Sequence, residues 1–263
     1  MTRTMLSRPI VTNQTSSELS QQENHNVFIL LANTFSAQWT IVPPPPRIVG
    51  KKVSLIVYDF DGTLVDTLFD IADAVNLSLE EMGLRTLSRE TIRQYVGKGV
   101  ERLMSQSING TGFDDLSSAV ELFRKHYSNN LMNHTRFYPS GREILDHFSD
   151  KKQAVCSNKP EEFVRRILES LESLDFFDAI IGGDSFNSKK PDPEGLNHLL
   201  ECFQCSPEQA VLVGDSTVDI ETGKRAKVIT CVISHGFGDS NEIALAKPDF
   251  SIDHLSQLKE IFH

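Results

Sequence analysis

The sequence predicts an α/β protein: a parallel sheet covered on both faces by helices, with an all-helical segment inserted after the first strand. Two observations predict it. Short, β-rich apolar runs alternate with amphipathic helical stretches, and one long interval, residues 68–136, has helical patterning and no such run. A strand that is apolar along its whole length is buried on both faces, as in a parallel sheet, and the intervening helices supply the crossovers.

Residues 1–50 stand apart. They are rich in Ser, Thr, Asn and Gln and end near Pro43-Pro44-Pro45-Pro46. Such a run favours extended polyproline II, so this stretch reads as a disordered leader and linker. Arg3 and Arg8 precede the first acid, Glu18. That composition faintly resembles an organellar transit peptide, but an incidental extension is the simpler reading. The expected location is therefore cytoplasmic, with an organelle as the alternative.

The first strand is Val53-Ser54-Leu55-Ile56-Val57-Tyr58. In the insertion, Leu68, Ile71, Ala72, Val75, Leu79 and Met82 recur at helical spacing. Val100, Leu103 and Met104 do the same, followed by Leu116, Val120, Phe123 and Tyr127. Residues 68–136 should thus form a small bundle of their own, leaving 51–67 and 137–263 as the core. In that core, strands are expected at 153–156, 179–181, 210–213 and 229–233, with helices at 161–172 and 193–202 among them.

Bulk properties exclude several functions. A formal net charge of -10 repels nucleic acid and anionic membranes, and the basic clusters are only doublets. No apolar run approaches the roughly 18 residues of a membrane span. Cys202 and Cys205 form a lone C-x-x-C without a second pair at zinc spacing. All four cysteines, including Cys156 and Cys231, are expected as reduced thiols.

Polar clusters fall at or beyond strand ends. Asp59-Phe60-Asp61-Gly62-Thr63 follows the first strand, and Ser157-Asn158-Lys159 follows the second. Lys189-Lys190-Pro191 precedes a later helix, and Gly214-Asp215-Ser216-Thr217-Val218-Asp219 follows the fourth strand. Carboxyl ends of parallel strands share one edge of the sheet, so these clusters should converge there. Three acids, Asp59, Asp61 and Asp215, need a hard divalent cation to share a site, and oxygen ligands select Mg²⁺. A lysine and a hydroxyl beside them suit a phosphoryl group, which points to phosphoryl transfer with metal charge neutralisation.

The four clusters, in this order and context, resemble the motifs of the haloacid dehalogenase superfamily over about residues 53–262. Further stretches are similar to bacterial phosphoglycolate phosphatases: Tyr95-Val96-Gly97-Lys98-Gly99-Val100, Phe137-Tyr138-Pro139-Ser140-Gly141, Cys156-Ser157-Asn158-Lys159-Pro160 and Ile181-Gly182-Gly183-Asp184. The resemblance implies a Rossmann-like, three-layer core with residues 68–136 as a helical cap. It implies Asp59 as nucleophile and Asp61 as general acid and base. Ser157 would bind the phosphoryl oxygens and Lys190 would neutralise them. Mg²⁺ would lie on Asp59, the Asp61 carbonyl and Asp215, and Asp219 would orient Lys190 or a metal-bound water. Gly62, Thr63, Asn158 and Lys98 join Ser157 as expected substrate contacts, Lys98 reading a substrate carboxylate from the cap loop.

Two departures from the resemblance stand out. Ser157 occupies a position where close relatives more often have Thr, and no glycine marks the helix end at Arg225-Ala226-Lys227-Val228. The implied reaction is hydrolysis of a small phosphorylated metabolite, 2-phosphoglycolate first, by a monomer or homodimer without nucleic-acid or membrane partners. The alternatives are a phosphatase for another small metabolite, a phosphomutase of the β-phosphoglucomutase type, and a catalytically idle binding protein.

Overall fold

A computed structural model describes residues 50–263. The expected leader therefore lies outside the described residues except for Gly50. The central strand is β1 (Leu55–Tyr58), and all four of its residues are buried. Beyond it come β2 (Val65–Asp66) and then four helices, α1 (Leu68–Glu81), α2 (Arg89–Arg93), α3 (Val100–Ser107) and α4 (Leu116–Asn130). The short strand β3 (Arg136–Phe137) pairs antiparallel with β2, Val65 opposite Phe137, where the helical segment leaves and rejoins the rest.

The remainder alternates as expected: α5 (Gly141–His147), β4 (Lys152–Cys156), α6 (Glu161–Ser170), β5 (Ala179–Ile181), α7 (Glu194–Cys202), β6 (Ala210–Gly214), α8 (Thr217–Ala226), β7 (Ile229–Ile233), α9 (Ser240–Ala246), β8 (Phe250–Ile252) and α10 (Leu258–Ile261). Six strands form one sheet in the order β5-β4-β1-β6-β7-β8, every pair parallel. Five of them coincide with the expected runs. β8 is the addition: Phe250-Ser251-Ile252 is short and its centre is polar, so periodicity alone does not mark it, yet it lines up with Cys231 to Ile233 at the sheet edge.

Side chains of β1 alternate between two cores. Leu55 and Val57 pack with Leu196 and Leu199 of α7 and with Leu212, whereas Ile56 and Tyr58 join the larger cluster on the opposite face. That larger cluster runs on into the helical segment. Ile71, Val75 and Leu79 of α1 are buried with Ala119, Phe123 and Tyr127 of α4, the apolar stripes at helical spacing closing on each other.

The helix end without a glycine is also resolved. α8 terminates at Lys227, which takes a left-handed φ of 62°, and the Val228 amide donates to the Gly223 carbonyl at 3.0 Å. A lysine thus occupies the conformation that glycine usually supplies at a helix C-terminus.

Candidate active site

The chain winds outward from β1 through β4 to β5, then returns to β6 on the other side of β1. In open parallel sheets, such a reversal opens a crevice at the carboxyl ends of the strands. Asp59 follows β1, Ser157 follows β4, and Asp215 follows β6; Tyr58 is in register with both Val155 and Val213. Register therefore brings these three sequence-distant side chains to one edge.

Asp59 Oδ1 accepts a 2.7 Å hydrogen bond from the Phe60 amide and faces the Lys190 ammonium at 2.9 Å. Lys190 Nζ also lies 2.6 Å from Asp219 Oδ1. Asp219 is fully occupied: its Oδ2 accepts from the Ser216 hydroxyl at 2.6 Å, the Ser216 amide at 3.1 Å and the Asp215 amide at 3.3 Å. It both caps α8 and fixes Lys190. Asp215 accepts from the Thr63 hydroxyl at 3.1 Å and the Phe237 amide at 2.5 Å.

Carboxylate oxygens of Asp59, Asp215 and Asp219 lie within 4.8 Å of one another, and all three residues are buried. Burial, reinforced by Asp219 and Asp59, pushes the Asp215 carboxyl up to about 8. Burial also raises Asp59, to about 6, Lys190 opposing that rise and Asp219 adding to it. For Lys190, burial works against the charged form, but Asp219 and Asp59 outweigh it and hold the ammonium well above the ordinary lysine range. Three acids against one lysine leave an excess of buried negative charge, which suits a hard divalent cation on oxygen ligands. Asp59 and Asp215 are the carboxylates with capacity for it. Glycines make the room: a Cβ on Gly62 would come within 2.6 Å of Asp215 Oδ2, and one on Gly236 within 2.2 Å of Asp215 Cβ.

Asp61 is engaged elsewhere. Its Oδ1 accepts from the Thr67 hydroxyl at 2.7 Å and from Lys159 Nζ at 3.0 Å. Lys159 is itself buried, and its ammonium donates at 2.7 Å to the hydroxyl of Tyr127, on α4. Burial lowers the Lys159 pKa, with Asp61 opposing the shift. These side chains line a cavity of about 40 Å³ together with Asp59, Ser157 and apolar residues of the helical segment.

Of the expected substrate contacts, Ser157 and Asn158 line the cavity, together with Asp59 and Asp61. Gly62 and Thr63 instead shape and hold Asp215. The Asn158 amide is used internally: it donates to the Lys190 and Gly97 carbonyls, each at 3.0 Å, and accepts from the Lys190 amide at 2.9 Å. Lys98 is exposed and outside the cavity lining, although Gly97 and Gly99 on either side belong to it. Both glycines have positive φ, 100° and 86°.

Lys159 and Tyr127 are the contributors that sequence reasoning missed. The signal for Lys159 was its place in the cluster after β4; for Tyr127 there was none beyond an apolar helical stripe. A further link joins the helical segment to the sheet edge: Arg93 of α2 donates to the Gly236 carbonyl.

The family model for haloacid dehalogenase-like hydrolases matches residues 56–233. A phosphoglycolate phosphatase of Aquifex aeolicus (strain VF5) is 37% identical over 209 residues, covering 79% of this chain and 95% of its own. One from Vibrio cholerae serotype O1 is 37% identical over 220 residues, covering 80% and 97%. The crystal structure of a predicted phosphoglycolate phosphatase from Haemophilus somnus 129pt superposes with a TM-score of 0.75 at 28% identity, covering 79% of this chain and 97% of that one.

Proposed function

Because the chain belongs to the haloacid dehalogenase-like hydrolase family, we propose that it is a phosphatase that hydrolyses small phosphomonoesters through an aspartyl phosphate on Asp59, with 2-phosphoglycolate as its substrate. The observation that carries this reading is the setting of Asp59: a buried carboxylate at the carboxyl end of the central strand, with one oxygen held by the Phe60 amide and Lys190 and the residue open to the cavity. The relatives named phosphoglycolate phosphatase supply the substrate.

In this reading, Asp59 Oδ2 attacks phosphorus as the bond to the alkoxide oxygen breaks. Asp61, once it has left Lys159 and taken up a proton from solvent, gives that proton to the alkoxide, then takes one from the water that attacks the aspartyl phosphate, and phosphate leaves with Asp59 restored. Lys190 and the Ser157 hydroxyl take up the negative charge of the phosphoryl oxygens. Asp219 keeps Lys190 charged and in place. Asp59, Asp215 and the Asp61 carbonyl would hold Mg²⁺, which when bound neutralises charge on the transferring group.

Residues 68–136 act as the cap. In this reading the cap opens to admit substrate and closes again to exclude water during the first transfer. Three of its contacts with the core, Tyr127 to Lys159, Gly97 to Asn158, and Lys189 to Glu101 at 2.7 Å, are polar and can be exchanged for water.

The test is phosphate release from a panel of phosphorylated metabolites, with and without Mg²⁺, together with acid-quench trapping of the phosphoenzyme. The expected outcome is Mg²⁺-dependent hydrolysis highest for 2-phosphoglycolate and a phosphopeptide mapping to Asp59. Asp59→Asn should be folded and inactive. Label on another residue would refute the mechanism. Conversion of a sugar phosphate to its isomer without phosphate release would favour a mutase instead.

A further inference from the structure

Taking the phosphatase reading as its basis, we infer that Lys159 is the specificity-determining cation of this site: it reads a second negative charge on the substrate, and Asp61 and Tyr127 hold it in place until that charge arrives.

The cavity argues for this by its composition. Its charged lining residues are Asp59, Asp61 and Lys159. Lys190 is committed to Asp59 and Asp219 at 2.9 and 2.6 Å, where a transferring phosphoryl group would sit. Lys159 lies apart from that pair, against Asp61 and beneath α4. Apart from Ser157, Asn158 and Tyr127, the remaining side chains of the wall are apolar, Leu103, Phe123 and Phe163 among them. A substrate attached at Asp59 must extend its non-phosphoryl end into this space. Once Asp61 turns to the alkoxide, a neutral or apolar end would leave the ammonium without a counter-charge, whereas a carboxylate a few atoms from phosphorus can take the place of Asp61 there. An ammonium buried among apolar groups is costly unless paired, so the site favours the anionic substrate and disfavours its neutral analogue.

The present partners of Lys159 fit a holding role. Asp61 Oδ1 and Oδ2 accept from its Nζ at 3.0 and 3.3 Å, and the Tyr127 hydroxyl accepts at 2.7 Å. The ammonium has three donors, and these three acceptors match them. When a substrate carboxylate takes one or two of these bonds, Asp61 is released from the lysine, takes up a proton and can turn to the alkoxide oxygen. Charge reading and the freeing of the acid are then one event. Tyr127 lies on the helical segment, so Lys159 meets its full set of partners only when that segment covers the site.

The experiment compares matched pairs of substrates, with and without a carboxylate: 2-phosphoglycolate against ethyl phosphate, and 3-phosphoglycerate against glycerol phosphate. Wild type should prefer the anionic member of at least one pair by ten- to a hundredfold in kcat/KM, the range of one charge-assisted contact. Lys159→Met should erase most of that preference, lowering kcat/KM for the anionic member of the pair at least tenfold more than for its neutral partner, beyond whatever loss both share through Asp61. Lys159→Gln, which keeps a donor for Asp61 without the charge, should behave the same way. It decides the matter if the Met variant fails to fold. Equal losses on both members of a pair would overturn the inference, because a lysine that only positions Asp61 serves every substrate alike; the phosphoglycolate reading would survive that result. A wild type that prefers a different carboxylate-bearing phosphate, with the preference lost in both variants, would sustain the role of Lys159 and remove phosphoglycolate. No preference in either pair would remove both.

Discussion

Asp219→Asn isolates the residue on which the geometry of the site depends. Both carboxylate oxygens of Asp219 are acceptors, Oδ1 to Lys190 at 2.6 Å and Oδ2 to Ser216 and the Asp215 amide. An amide has one acceptor and one donor group. Whichever way Asn turns, an NH₂ faces either the Lys190 ammonium or the N-terminal amides of α8. Removing one partner of a buried, hydrogen-bonded ion pair costs about 3–5 kcal/mol. Two effects offset part of this: Lys190 keeps Asp59 at 2.9 Å, and one negative charge leaves a cluster that holds three. The expected net loss is about 3 kcal/mol, which for a folded body of this size lowers Tm by about 6–12 °C. Urea unfolding followed by circular dichroism, with calorimetry in the same buffer, measures it. A loss below about 1 kcal/mol would refute the assignment of Asp219 as the anchor of Lys190 and the cap of α8.

Three further outcomes are expected. Lys227→Gly should stabilise the protein by about 1 kcal/mol, since the exposed lysine adopts a left-handed φ of 62° that is strained for any residue with a Cβ; an unchanged urea midpoint would count against that strain. Gly236→Ala should lower turnover about a hundredfold, because its Cβ would come within 2.2 Å of Asp215 Cβ and a shift of about 1 Å at a reacting site has that consequence; wild-type kcat would show that Asp215 tolerates displacement. In chelator, stability should fall as pH rises from about 4 to 8, since Asp59 and Asp215 have folded values raised to about 6 and 8 from 3.8, so that the native state binds more protons than the unfolded one across that window. Added Mg²⁺ should therefore raise Tm more at pH 8 than at pH 6, and equal shifts at the two pH values would contradict the crowding of acids.

Much of the architecture is legible in the chain itself. The runs at β1, β4, β5, β6 and β7 are apolar and β-rich because both faces of a parallel strand are buried, and the amphipathic stripes of α1, α3 and α4 mark those stretches as helices. The positions of Asp59, Ser157 and Asp215 directly after strands also announce their convergence, since parallel strands end on a common edge. What tertiary structure alone decides is the partnership of each side chain. Asp61 and Lys159 are 98 positions apart and Lys159 and Tyr127 are 32 apart, and no periodicity encodes which cation meets which acid. The loop of Lys98 shows the same limit from the other side: its glycines signal a turn, but only the folded chain shows Gly97 and Gly99 lining the cavity while Lys98 lies exposed outside that lining. Local patterning determines the elements and the edge where they end, because burial acts on every residue of a strand or stripe; long-range packing determines which charges are paired, because a pair forms only where two distant backbones are brought within about 3 Å of contact between donor and acceptor.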